Sequence, residues 1–326
     1  MIAAACGIVM LCAASAAAEV PIEYRVQLDP GLGMESGVTN LTTIGRLALR
    51  GTDALTHRVD GIVVRLAAGI AVDSAIAISA AVLPHEVFGH GARAREFGFE
   101  VHYELRPPPP YAWLVGGGLR SSTRWELADR VASTADETAL FHLGGLEAQE
   151  VQLRSLALTA FRARTLSRGD ALLYLTGALE TLTYVARDDG DVALFYDHLR
   201  ARYGEDERSS RRATGLSAVL AVADPLFVFS LYGYFYRYLG RGDRALPYPT
   251  LAVGGADLAL TNRLLLVPWG REHQLTALIG TRAATAAVTI GIGEGPGGSS
   301  ASLSLDVADV PLGRGLFAVG QLQLAA

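Results

Sequence analysis

Two histidines and a glutamate fall within six residues, at His85, Glu86 and His90, in the window 83–98 that reads LPHEVFGHGARAREFG. These are the residue types a zinc hydrolase needs: imidazoles hold the ion, and a carboxylate takes a proton from the metal-activated water. The usual spacing, H-E-x-x-H, sets the histidines one helical turn apart on one face. Here they are five positions apart, an HExxxH variant, which turns the second about 140° from the first on a regular α-helix. Three local solutions are open. A π-bulge adds one residue to a turn and often marks a functional site, and Gly89 lowers helix propensity where it would be needed. Pro84 instead places His85 in a first turn, where the backbone need not yet be regular. In the third, Glu86 and His90, four apart, are the ligands and His85 stands behind them.

The segment HEVFGHGARAREFGFEV resembles the metal-binding helix of the site-2-protease-type intramembrane metalloproteases, themselves zincin-type metallopeptidases. The likeness covers about twenty residues, and the extra residue between Glu86 and His90 departs from the family pattern. By resemblance, His85 and His90 are metal ligands and Glu86 is the general base. The family draws its third ligand from an aspartate on a later membrane helix. Asp224 is the corresponding residue, although it is followed by Pro225 where the family has glycine.

A rival third ligand lies in 141–150, FHLGGLEAQE. A glutamate on a second helix completes a two-His, one-carboxylate site in gluzincin-like enzymes. Gly144 and Gly145 would let that helix approach the first closely. Glu147 is the preferred donor, Glu150 the alternative one turn later, and His142 a hydrogen-bond donor to the site. Both cysteines, Cys6 and Cys12, lie near the N-terminus, so a metal site must use His, Asp and Glu. Glu180 reads as a solvated or partnered helix residue. His57, His102, His198 and His273 stand alone and read as structural. Arg65 and Asp73, two turns apart, read as a pair inside the helical bundle.

The elements that must position these groups change character along the chain. Residues 2–18 are small or apolar, and Ala16-Ala17-Ala18 before Glu19 fits signal cleavage. A weak alternation at 21–29 suggests a first strand, and helical patterns follow at about 40–58 and 61–83. The stretch 66–83 holds 18 residues with one charge, Asp73, enough to span a bilayer or to sit inside a tight bundle. A four-proline run at 107–110 must be extended. A second helical block follows from about 123 to 203, with breaks expected at the 144–145 glycines, at Gly169 and at 188–190. Residues 213–239 are strongly apolar, flanked by arginines and ending in a tyrosine-rich cluster that resembles an interfacial belt. After Gly240 the period falls to two, in strands joined by Gly/Pro turns. About six antiparallel strands fit between 248 and 326, either packed on the helices or forming outer-membrane hairpins. The organisation expected is α+β: signal peptide 1–18, a membrane-associated helical metal-binding domain 19–243, and an antiparallel β region 244–326.

Composition narrows the function classes. Half of the 326 residues are hydrophobic and only 19% are charged, and mean hydropathy is +0.28. Lysine is absent, and the net charge of −5 leaves no basic stripe for nucleic acid. No G-x-S-x-G or phosphate-cradling glycine loop occurs; the glycines at 116–118 carry no lysine. The expectation is an exported, membrane-associated protein of the bacterial envelope. It binds Zn²⁺, cleaves a peptide or protein substrate and contacts membrane lipid, in the inner or the outer membrane. The alternative is a non-enzymatic outer-membrane or envelope β-protein whose metal site is structural or vestigial.

Overall fold

The computed structural model of the chain describes residue 24 and residues 26–56, 61–114, 121–126, 133–187, 189–281, 284–313 and 316–325. The signal peptide expected at 1–18 with the two cysteines, His57 and the glycines at 116–118 lie outside the described residues. Helices come first and strands last, which is the α+β organisation that the change of period predicts.

Helix α1 (Met34–Thr56) leads to α2 (Ile62–Glu96), a single 35-residue helix. It is longer than the 61–83 expected because Pro84 does not end it. Proline lacks the amide that would bond the preceding turn, and the helix widens at that residue into a π segment, Pro84–His90. A second π segment, Gly69–Asp73, lies about three turns earlier.

The short helix α3 (Tyr111–Leu114) sits within the connection between strands β1 (Glu100–Glu104) and β2 (Ser122–Glu126), which pair antiparallel. Helix α4 (Ala135–Arg162) starts at a capping box, where Thr134 and Glu137 satisfy each other's backbone amides. It runs unbroken through Gly144-Gly145, against the break expected there, because those glycines serve a helix crossing rather than a turn.

Strand β3 (Thr165–Ser167), helix α5 (Arg168–Val185), helix α6 (Asp191–Tyr203) and helix α7 (Glu207–Val222) follow. The apolar segment expected as one span is two helices, α7 and α8 (Pro225–Gly240), bent by 64°. The cause is local: Pro225 opens α8, and the Asp224 side chain caps it by accepting from the Leu226 and Phe227 amides.

The main core gathers Leu49 from α1, Ala77 and Ala80 from α2, Leu153, Leu156 and Phe161 from α4, Leu173 and Tyr174 from α5, and Leu226 and Phe227 from α8. Each large side chain buried there contributes roughly 1.5–3 kcal/mol. Asp73 does not pair with Arg65. Its buried carboxylate takes Arg168 from α5 and the Thr52 hydroxyl, while Arg65 donates to the Leu239 carbonyl at the end of α8.

Strand β4 (Ala245–Pro247) pairs with β3. The rest of the chain is one antiparallel meander in the order β10-β9-β8-β7-β6-β5. Its strands are β5 (Leu251–Val253), β6 (Ala256–Val267), β7 (Gly270–Gly280), β8 (Thr285–Gly295), β9 (Gly298–Gly313) and β10 (Leu316–Ala325). The sheet lies against the helices rather than apart from them. Arg263 of β6 donates to the Glu150 carbonyl of α4, and Phe161 of α4 packs at Gly280.

Candidate metal centre

The π segment decides the geometry of the motif. The Gly91 amide bonds back to the Glu86 carbonyl, five residues earlier. In such a turn, residues five apart lie above one another, so His85 and His90 share a face. Their Nε2 atoms are 3.1 Å apart, and both residues are buried, His85 to 1% and His90 to 4% exposure. Of the three local solutions that the sequence allowed, the π turn is the one adopted. The chemistry-bearing face is therefore His85 with His90, not Glu86 with His90.

The helix crossing brings this face onto α4. A methyl group at Gly89 would meet the Gly144 oxygen and the Gly145 Cα at 2.6 Å, and one at Gly145 would meet His85 Nε2 at 2.4 Å. Glycine is thus required on both sides of the contact. Once the helices touch, the His90 Nδ1–H donates to the Phe141 carbonyl at 2.7 Å. A carbonyl oxygen only accepts, so the proton of a neutral His90 sits on Nδ1 and Nε2 presents its lone pair. The His85 ring is held by stacking on Tyr184, with centroids 4.9 Å apart.

The third donor is Asp191, at the first turn of α6 and after the positive-φ Gly190. Its Oδ2 lies 3.2 Å from His85 Nε2 and 3.3 Å from His90 Nε2. The three donor atoms form a nearly equilateral triangle, and the group is a metal-binding candidate on geometry alone. A tetrahedral zinc with bonds of about 2.0–2.1 Å separates its ligand atoms by about 3.3–3.4 Å, which matches this triangle. The Asp191 Oδ1 is 3.9 Å from His142 Nδ1, so the expected hydrogen-bonding histidine faces the carboxylate from behind. Burial works against the charge of Asp191, but in the ion-free site the positive charge of a protonated His90, whose own pKa is raised to about 9, and the polar contacts of His142, His85 and His90 outweigh it. The carboxyl is held well below its usual range.

Glu86 is also buried, at 5% exposure, and its Oε2 accepts a hydrogen bond of 2.6 Å from Thr123 Oγ1 on β2. That bond ties the β1–β2 hairpin to the motif. The opening lies on the Asp191 and His142 side, whose side chains are 16% and 20% exposed.

The carboxylates that the sequence offered as third donors stand elsewhere, each with its own partner. Glu147 is held by Arg93, with Nη2 to Oε1 at 2.6 Å, one turn past the crossing. Glu150 faces Arg263, and burial pushes its pKa up to about 7, with Arg263 opposing and Asp224 reinforcing the shift. Asp224 takes the Tyr174 hydroxyl as well as its capping amides. Glu180 is half-buried near His85, and desolvation raises its pKa against the opposing effect of His85.

Of the isolated histidines, His198 meets the Pro268 carbonyl and His273 the Ser217 hydroxyl, at 3.0 and 2.9 Å. His102 lies exposed, 4.0 Å from Glu126. Sequence reasoning missed Asp191, Thr123 and Tyr184. Asp191 carries only the signature of an acid opening a helix after glycine, which thousands of surface helices share. Neither a protein-family model, nor a curated protein, nor a solved structure matches the chain. Its identity therefore rests on the site itself, a two-histidine, one-aspartate triangle with a buried glutamate beside it.

Proposed function

We propose that the protein is a zinc-dependent hydrolase of the bacterial envelope, most specifically a metallopeptidase. The observation that carries this reading is the convergence of His85 Nε2, His90 Nε2 and Asp191 Oδ2 to 3.1–3.3 Å of one another on a π turn. Three acceptor atoms meeting at such distances repel unless a cation or a proton lies among them. Two imidazoles and a carboxylate are a donor set of catalytic zinc sites, which keep a fourth position open for water or substrate. Bound there, zinc would act as a Lewis acid on the scissile carbonyl and lower the pKa of a coordinated water.

The chain's own residues then have separable tasks. Phe141 fixes the His90 tautomer, and Tyr184 holds the His85 ring. His142 orients the Asp191 carboxylate. Glu86 accepts the proton of the attacking water and delivers it to the leaving amine, while the Thr123 hydroxyl fixes which of its oxygens is free. Placement of the site on a helix apolar enough to cross a bilayer supports a substrate met at or within the membrane.

The test is Glu86→Gln. Zinc content measured by mass spectrometry stays at one equivalent, and hydrolysis of casein or of a fluorogenic peptide library falls by about 10²–10⁴-fold. Retained hydrolysis in that variant refutes the role of Glu86, and absence of zinc from the wild-type protein refutes the metal. The second reading, a non-enzymatic envelope β-protein, is favoured by the apolar outer face of the sheet. It predicts bound zinc with no hydrolysis in the wild type.

A further inference from the structure

The meander has its polarity reversed. A sheet packed on helices in water buries its apolar face and exposes its polar one. Here the face toward α4 is polar at its centre: Thr261, Arg263, Glu272, Thr276 and Thr289 are each 7% exposed or less. Most of them bond to one another or to α4. Arg263 donates to Thr276 and to the Glu150 carbonyl, Thr276 bonds Thr289, and Ser302 donates to Glu272.

The opposite face carries Leu260, Leu275, Ile290, Ile292, Leu303 and Leu305, each 37–64% exposed. They adjoin across strands: Leu275, Ile290 and Leu303 form one cross-strand row, and Leu260, Ala277, Val288 and Leu305 another. The Arg271–Glu294 pair, 2.6 Å apart, bounds this face at one end. From that row to the Ile279–Ala286 row is eight residues along β7, about 27 Å at 3.4 Å per residue. Tilted transmembrane strands use about 9–11 residues to cross the apolar layer, a strand length close to this one, and keep their polar side chains inside.

The apolar surface does not stop at the sheet. Helix α7 is fastened to β6 by Asn262, which donates to the Leu220 carbonyl, and its outer side exposes Leu216 and Val219 at 63% each. Helix α8 continues with exposed Val228, Phe235 and the stacked Tyr232–Tyr236 pair. It meets the start of α2, where Ile62, Val63 and Ile70 are exposed. A flat partner such as a second copy's sheet could cover the meander but not a surface that wraps from β9 to α2. Acyl chains can.

We propose that the outer face of the β6–β9 sheet, outside the Leu264–His273 corner that α7 covers, is a lipid-facing surface that holds this protein in a bilayer, with acyl chains as its occupant. The proposal stands whether or not the metal centre is catalytic, since it uses none of the same residues. The test places single nitroxide labels at Ile290→Cys, Leu303→Cys and, in the charged row beside Glu294, Ser299→Cys, in the full chain with Cys6 and Cys12 changed to serine. The protein is reconstituted in phosphatidylethanolamine/phosphatidylglycerol vesicles, and circular dichroism confirms that each variant is folded. At 290 and 303, collision with dissolved oxygen exceeds collision with a water-soluble nickel chelate several-fold, and at 299 the order reverses. Equal access of the nickel chelate to all three positions overturns the proposal. So does shielding of 290 and 303 from both reagents with a doubled particle mass, which would assign the face to a second copy.

Discussion

Replacing Asp191 with asparagine separates the donor triangle from every arrangement that the sequence alone suggested. The amide is isosteric, so its oxygen can occupy the place of Oδ2, 3.2 and 3.3 Å from the two imidazole nitrogens; what is lost is the negative charge. A divalent ion about 2.5 Å from the centre of a carboxylate charge interacts with it by about 3 kcal/mol even at the dielectric constant of water. Asp191 is 16% exposed, so its surroundings screen less than water does, and about 3 kcal/mol is a floor. That floor corresponds to at least a hundredfold weaker zinc binding. The assay is competition with a chromophoric zinc chelator, run on the wild type, Asp191→Asn and Glu147→Gln in parallel. Glu147 is engaged by Arg93, so its substitution costs the ion pair and leaves zinc affinity within a few-fold. The reasoning fails if Asp191→Asn binds zinc as tightly as the wild type, or if Glu147→Gln loses the metal while Asp191→Asn keeps it.

Two further outcomes follow from the helix crossing and from the buried acids. In Gly145→Ala, the added methyl meets the His85 ring at 2.4 Å, and stacking on Tyr184 leaves that ring nowhere to go. Overpacking of this kind costs about 1–3 kcal/mol; the variant melts lower and loses zinc, and unchanged zinc stoichiometry would count against the crossing. Glu150 supplies a pH dependence with a definite sign. Its folded pKa, raised to about 7, exceeds the unfolded value of about 4.3. The unfolded chain therefore ionises first as pH rises, and stability is lost between about pH 4.3 and pH 7. The loss amounts to about 4 kcal/mol at 1.36 kcal/mol per unit. Urea unfolding of wild type and Glu150→Gln at pH 5 and pH 8 checks it, since the variant lacks this part of the decline.

The π turn shows how far local chemistry reaches. Proline at 84 and glycine at 89 frame a five-residue histidine spacing, so a widened turn was one of three solutions legible in the chain, and it is the one found at Pro84–His90. The change from helical to two-residue period near Gly240 similarly fixes where helices give way to strands, because side-chain direction alternates by backbone geometry alone. The two glycines at 144–145 were legible as a place of close approach, yet also read as a break. Only a partner helix distinguishes a glycine that ends a helix from one that admits a neighbour.

The carboxylate that completes the triangle was not legible at all. Glu147, Glu150 and Asp224 each stood in a context that suggested a ligand, while Asp191 stood in none. Ligand choice depends on which side chains converge across 106 residues of chain from His85 to Asp191. That convergence is set by how α4, α5 and α6 pack, and nothing in the local sequence of α6 encodes it. The same holds for the sheet. Alternation determined that one face is apolar and the other polar, but which face turns toward the helices was decided by the tertiary structure. Buried Arg263 and half-buried Asp306 need partners, and α4 supplies them through the Glu150 carbonyl and Arg154, while Glu272 takes Gln274 and Ser302 within the sheet.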